Sequence, residues 1–294
     1  MIPPHNPFPM KLGAHIYLWM ERWSDAETGL FERARALGLD LIELSVGLDV
    51  PFSAVKTRRA AEAAGVGLLV GPGGAWPDGA DLSDDQPENR RAALTFHTDI
   101  IDQTAELGGV AYAGALYGRP GKSLRRLPPA DELARTAEGL QVLSAHAQKR
   151  GIILVIEPMS RFRSHIANTP EQTLRLIELA GGAPNLRIMI DTYHLITEVR
   201  DFGAAVRTAG QRLWGLHACE NDRGVPGGGL VPWSTIFPAL KDSGCTYIGL
   251  EGYNTGPATG DFGWRRGIFQ NVCPDGDAFA RQGVAFIRQQ LAAR

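Results

Sequence analysis

The chain has 294 residues, 44% of them hydrophobic and 21% charged, with a formal net charge of −2, which is ordinary for a soluble globular protein with one large core. Basic residues cluster only briefly, as between Lys122 and Arg126, so the basic face of a nucleic-acid binder is not expected. Cys219, Cys245 and Cys273 are too few and too irregular for a disulfide framework or a thiolate zinc site, and a reduced, cytoplasmic setting is the expectation.

In chain order, residues 1–11 carry four prolines and no apolar signal core, and read as a loose leader. The run LGAHIYL (12–18) predicts the first strand, followed by a helix over 24–37 closed by Gly38. LDLIELS (39–45) precedes a helix over 52–64, and VGLLVG (66–71) leads into a long helix over 88–107. The second half repeats this order. VAYAGA (110–115) is followed by a helix over 129–149, IILVIE (152–157) by 170–180, and LRIMID (186–191) by 196–209. LWGLHA (213–218) precedes 233–243, and TYIGLE (246–251) precedes a terminal helix over 275–291. No run approaches the ~18 apolar residues of a membrane span, so no membrane partner is expected.

Eight strand–helix alternations predict an α/β fold, a single-domain (β/α)8 TIM barrel over 1–294, with an open doubly wound sheet as competitor. The barrel is favoured by four polar residues ending strands: Glu157, Asp191, His217 and Glu251. They lie 34, 26 and 34 residues apart, about one strand–helix module each, at the strand ends where barrel chemistry sits. Taken singly, each acid is as readily a solvated loop residue or a helix cap, and a lone strand histidine is more often a satisfied core residue. The four together are read as a metal site.

Three carboxylates and an imidazole without thiolate suit a hard divalent cation, Mn2+ first and Mg2+ or Co2+ next, with positions left open for substrate oxygens. Such a cation is a Lewis acid toward a carbonyl and its neighbouring hydroxyl, and it stabilises the enediolate formed when a base removes the C–H proton. Two of the carboxylates, on opposite sides of the carbon, would then remove and return the proton on different faces. DTYH offers His194 to the same pocket, and Arg223 in NDRG is either a surface charge or a group within reach of a substrate hydroxyl. Tyr17, Trp19 and Trp23 are equally core or pocket wall. GPGG (71–74) and GVPGGG (224–229) lack the residues of a phosphate loop and read as mobile loops. Cys219 reads as inert packing.

The runs IEPMSRFRSHIANT, IDTYHL, LHACENDRGVPGGG and LEGY resemble the ketose 3-epimerases, within the xylose-isomerase-like barrels, and the match covers nearly the whole chain. The resemblance implies a metal held by Glu157, Asp191, His217 and Glu251, with Glu157 and Glu251 as acid and base. It implies His194 and Arg223 on substrate oxygens, and a homodimer or homotetramer. The implied reaction is inversion of C3 of a free ketose through a cis-enediolate. One departure stands out: where the family usually has NRFE, this chain has SRFR, so Arg163 replaces an acceptor by a fixed cation with five donors. Leu18, before Trp19, also differs from the aromatic often found there. Arg163 motivates the alternative of an aldose–ketose isomerase or related enediol enzyme for an acidic or modified sugar. An abasic-site endonuclease of similar fold needs more histidines than His97 and His146, which fall in predicted helices, and a non-catalytic sugar-binding barrel leaves the acids unexplained.

Overall fold

A computed structural model describes residues 10–293 apart from 123 and 125; most of the expected leader lies outside the described residues. The strands are β1 Lys11–His15, β2 Leu41–Ser45, β3 Gly67–Gly71, β4 Ala111–Gly114, β5 Ile153–Ile156, β6 Leu186–Asp191, β7 Leu213–Ala218 and β8 Tyr247–Leu250. They pair in parallel, in order, and close into a barrel as β8 pairs with β1. The helices are α1 Gly29–Ala36, α2 Ala54–Ala64, α3 Pro87–Glu106, α4 Glu132–Lys149, α5 Pro170–Leu179, α6 Thr192–Leu195, α7 Phe202–Ala209, α8 Trp233–Lys241, α9 Phe262–Arg265 and α10 Gly276–Ala292.

Helix ends follow local chemistry. Ser53 accepts from the Lys56 amide at the start of α2, and Gly65 ends that helix at a φ of 68°, a conformation that costs glycine least. Thr169 and Gln172 form a capping box on α5, with Pro170 in its first turn.

Several boundaries differ from the predicted ones. β1 stops at His15, whose Nδ1 accepts the Tyr17 amide at 3.1 Å and turns Ile16–Leu18 into a 3-10 helix. Residues 24–28 form turns ahead of α1. The helix expected over 196–209 begins only at Phe202, where Asp201 starts α7 through the Ala204 amide at 2.8 Å, and an unexpected short α6, capped by Asp191 through the Tyr193 amide at 2.8 Å, precedes it.

Two apolar layers flank the barrel wall. The larger packs helices against the sheet's outer face through residues such as Leu154, Ile156, Ile188, Leu216 and Ile248. The smaller fills the barrel with Leu41, Leu69, Ala111, Ala113, Val155, Met189, Trp214 and Tyr247. Side chains alternate along a strand, so the residues two further on from Leu41 and Val155 also face inward, as does Asp191 above Met189. Glu43, Glu157 and Asp191 therefore stand one layer above the apolar plug. Tyr247 is followed at the same parity by Gly249 and Glu251, and His217 is in register with both Asp191 and Gly249.

Candidate active site

One wide cavity of about 830 Å³ opens at the C-terminal end of the barrel, with Glu157, His217 and Glu251 in its floor and Glu43, Tyr17 and Tyr253 beside them. Glu157, Asp191, His217 and Glu251 each offer a ligand atom within 4.8 Å of the others, and all four are buried. His217 Nδ1 lies 3.3 Å from Glu157 Oε1 and 3.0 Å from Glu251 Oε2. Its Nε2 is bonded to Glu43 Oε2 at 2.8 Å.

Glu43 is the residue that sequence reading missed. Its signal was a charged side chain inside the apolar run LDLIELS, at the parity of the inward-facing Leu41. Space for it comes from Gly71 across the pair β2–β3: a Cβ there would lie 3.1 Å from Glu43 Oε1.

Arg223 closes the other side. Its Nη1 lies 2.6 Å from Asp191 Oδ2 and 3.1 Å from Glu251 Oε2, and its Nη2 is 3.4 Å from His194 Nε2. The guanidinium covers the Tyr193 ring at 4.3 Å. Arg223 has a φ of 68°, a region non-glycine residues enter only when the surroundings hold them there. Those surroundings are a tight turn from Glu220 to Gly224, closed by the Glu220 amide on the Gly224 carbonyl at 3.0 Å.

Glu220 is buried, and it accepts from the Gly227 amide at 2.6 Å, the Val231 amide at 3.1 Å and the Trp233 indole at 2.7 Å. The glycine loop expected to be mobile is thus tied at three points. The GPGG turn is likewise packed, with Tyr17 donating to the Gly73 carbonyl at 3.2 Å and Trp76 to the Pro72 carbonyl at 2.7 Å.

Burial and neighbours split the acids. Burial raises Glu157 above the usual carboxylate range against the pull of His217, and pushes Asp191 up to about 7 against Arg223. Glu251 is equally buried, yet Arg223 and His217 outweigh burial and hold it well below that range. Burial opposes charge on His217, but Glu43 and Glu251 override it and raise the imidazole. His194 is held neutral by burial and by Arg223, with Arg163 adding to the effect. Three carboxylates in one buried cluster call for more positive charge than Arg223 and His217 supply.

The other expected residues divide. Arg163 lines the cavity. Trp19 does not: its indole donates to Asp277 in α10 at 2.6 Å, and it lines a separate surface hollow with Met20 and Asn254. Tyr17, two residues earlier, takes the wall position. Trp23 is core, bonded to Thr57 at 2.9 Å. His97 is buried in α3 against Tyr112, and His146 bonds Asp102 between α3 and α4; neither approaches the cluster. Cys219 is buried, its thiol within 3.3 Å of Arg223 Nη1.

The family description that matches residues 31–289 is the xylose isomerase-like TIM barrel. The D-psicose 3-epimerase of Agrobacterium fabrum is 31% identical over 237 residues, covering 79% of this chain and 81% of its own length. The ketose 3-epimerase of Arthrobacter globiformis is 30% identical over 290 residues, covering 97% and 98%. The solved structure of an L-ribulose 3-epimerase superposes with a TM-score of 0.87 at 26% identity, over 96% of this chain and 94% of that one. No helix among the described residues is long and apolar enough to cross a membrane. The chain belongs to the ketose 3-epimerase family of xylose isomerase-like TIM barrels and is an enzyme of the isomerase class.

Proposed function

We propose that this protein is a divalent-metal-dependent epimerase that inverts C3 of a ketose, removing the C3 proton and returning one to the opposite face through a cis-enediolate. The observation that carries the reading is the pair Glu157 and Glu251, buried carboxylates on strands three apart that flank one imidazole nitrogen in the cavity floor. Four hard donors without sulfur fit Mn2+, with Mg2+ or Co2+ as the other candidates, and Glu43 on Nε2 leaves Nδ1 of His217 facing the carboxylates. When bound, such a cation supplies Lewis acidity to the carbonyl and hydroxyl oxygens on either side of the reacting C–H bond.

The protein's own groups account for the proton transfers. Glu157 and Glu251, set on either side of the His217 imidazole, are the two groups placed to take the proton from one face and return one to the other. In the reverse direction the roles exchange. Tyr253 donates to Glu251 Oε1 at 2.8 Å and fixes the carboxylate's orientation. Arg223 and His194, side by side above Asp191, are placed to hold substrate oxygens.

Product analysis tests the proposal. Ketohexoses and ketopentoses incubated with Mn2+-loaded enzyme are expected to yield their C3 epimers, with turnover lost to a chelator and restored by Mn2+. An aldose as the product would instead establish the second reading, an aldose–ketose isomerase, which Arg163 in the cavity wall favours.

A further inference from the structure

Five cationic side chains line the mouth of the active-site cavity: Arg119, Lys122, Arg163, Arg265 and Arg266. Two are neutralised. Lys122 Nζ lies 2.9 Å from Asp81 and 2.5 Å from Asp84, and Arg265 pairs with Glu21 and Asp261. The other three have no carboxylate at ion-pair distance among the described residues. Arg119 donates to the Pro77 carbonyl at 3.2 Å. Arg266 donates to the Tyr17 hydroxyl at 3.0 Å and the Gly73 carbonyl at 3.3 Å, over the Phe262 ring at 4.1 Å. The Arg163 guanidinium has no hydrogen-bond partner among the described residues, although its backbone is fixed by the Arg163 amide on the Ser160 carbonyl at 2.8 Å.

Arg119 and Arg163 share one corner of the mouth. Arg119 is on the loop after β4 and Arg163 on the loop after β5, and the two loops are joined by the Gly121 amide on the Arg163 carbonyl at 2.8 Å. Gly121, at a φ of 92°, lets the backbone pass close to the Arg163 guanidinium: a Cβ there would sit 3.5 Å from Nη1. Arg266, on the loop after β8, reaches the Gly73 carbonyl on the loop after β3.

A guanidinium keeps its charge at any working pH and offers donors only. A neutral polyol needs acceptors as well as donors, whereas an anion answers several donors at once and relieves the repulsion among them. A cavity mouth with three uncompensated guanidiniums also concentrates anions from solution. Of the carboxylates deeper in the cavity, Asp191 and Glu251 already face Arg223, and Glu43 is bonded to His217.

We propose that the substrate is an anionic ketose, bearing a phosphate ester or carboxylate at the chain end remote from its carbonyl, with Arg163 and Arg119 holding the anion and Arg266 adding to the field. The proposal rests on the epimerase reading above and replaces the free ketose implied by the resemblance with a charged one. It assigns the Arg163 departure a purpose that a free sugar leaves without one.

Matched sugars provide the test. D-fructose, D-fructose 6-phosphate and D-fructuronate, with the D-tagatose counterparts, are each incubated with Mn2+-loaded enzyme in D2O, and C3 exchange is followed to obtain kcat and KM. At least one anionic member is expected to exceed its neutral parent in kcat/KM by about tenfold or more. That advantage is expected to shrink as NaCl rises from about 50 to about 500 mM, as screening requires. Which of the two anions is preferred separates phosphate from carboxylate. Arg163→Gln, and independently Arg119→Gln, are expected to cut the anionic-to-neutral ratio by about tenfold, mainly through the KM of the anionic sugar. Because each ratio is taken within one variant, partial loss of folded enzyme does not change it. Neutral sugars turning over as well as their anionic counterparts, with ratios untouched by either substitution, would overturn the proposal while leaving the epimerase standing. Exchange with none of the sugars would remove the epimerase reading itself.

Discussion

Glu43 accepts from Nε2 of His217 at 2.8 Å and so leaves Nδ1 facing Glu157 and Glu251. Partners of this kind fix the ring's orientation and protonation, and their loss commonly weakens metal binding about 10–100-fold. Glu43→Ala is therefore expected to lower Mn2+ affinity by about that factor in a calorimetric titration, with Glu43→Gln falling between it and the parent; equal affinities in all three would dismiss the role. At His97 the consequence is stability. Burial lowers its pKa to about 3, its Nδ1 is bonded to Tyr112 at 2.7 Å, and its Nε2 has no partner. An unfolded chain binds the proton near pH 6.5, so the folded state loses ground as pH falls below that value, by about 1.4 kcal/mol per pH unit down to the folded pKa. Urea midpoints between about pH 6.5 and 4.5 should fall more steeply for the parent than for His97→Gln; parallel slopes would refute the assignment.

Among the elements, the loop after β7 carries the most consequence per residue. Glu220 gathers two backbone amides and the Trp233 indole, and the turn it anchors holds Arg223 at positive φ with its guanidinium on Asp191. Glu220→Ala leaves three donors without their acceptor, at about 1–3 kcal/mol for each that stays buried. A lower melting temperature and a raised KM are expected together, and Glu220→Gln should recover much of both; an unchanged KM would show that Arg223 is positioned by something else. The sequence run ENDRG marked this loop as distinctive, but its glycines suggested motion, because a carboxylate's capture of amides 7 and 11 residues away leaves no periodic trace. The short α6 ahead of α7 was hidden for a similar reason. Asp191 caps a short helix while standing in the acid cluster, and apolar spacing cannot reveal that double use.

For the whole molecule, the closed barrel was legible because its grammar is local: a short apolar run, a glycine-terminated helix, then the next run. The four clustered residues were legible too, since each follows an apolar strand at the end where barrels carry their chemistry, and strand parity turns all of them inward. Glu43 was not, because its meaning depends on His217, 174 residues away. Trp19 likewise looked available until the closure of β1 on β8 brought Asp277 of α10 to its indole. What closure adds is convergence: residues from β2, β5, β6, β7 and β8 meet around one point, where two carboxylates can act on a single carbon. The most direct measurement of that claim is the position of deuterium after Mn2+-loaded enzyme has turned over a ketose in D2O, read by NMR. Deuterium at C3 of both epimers is the predicted result, and deuterium at C1, or a C3 epimer formed with no label at all, would contradict it.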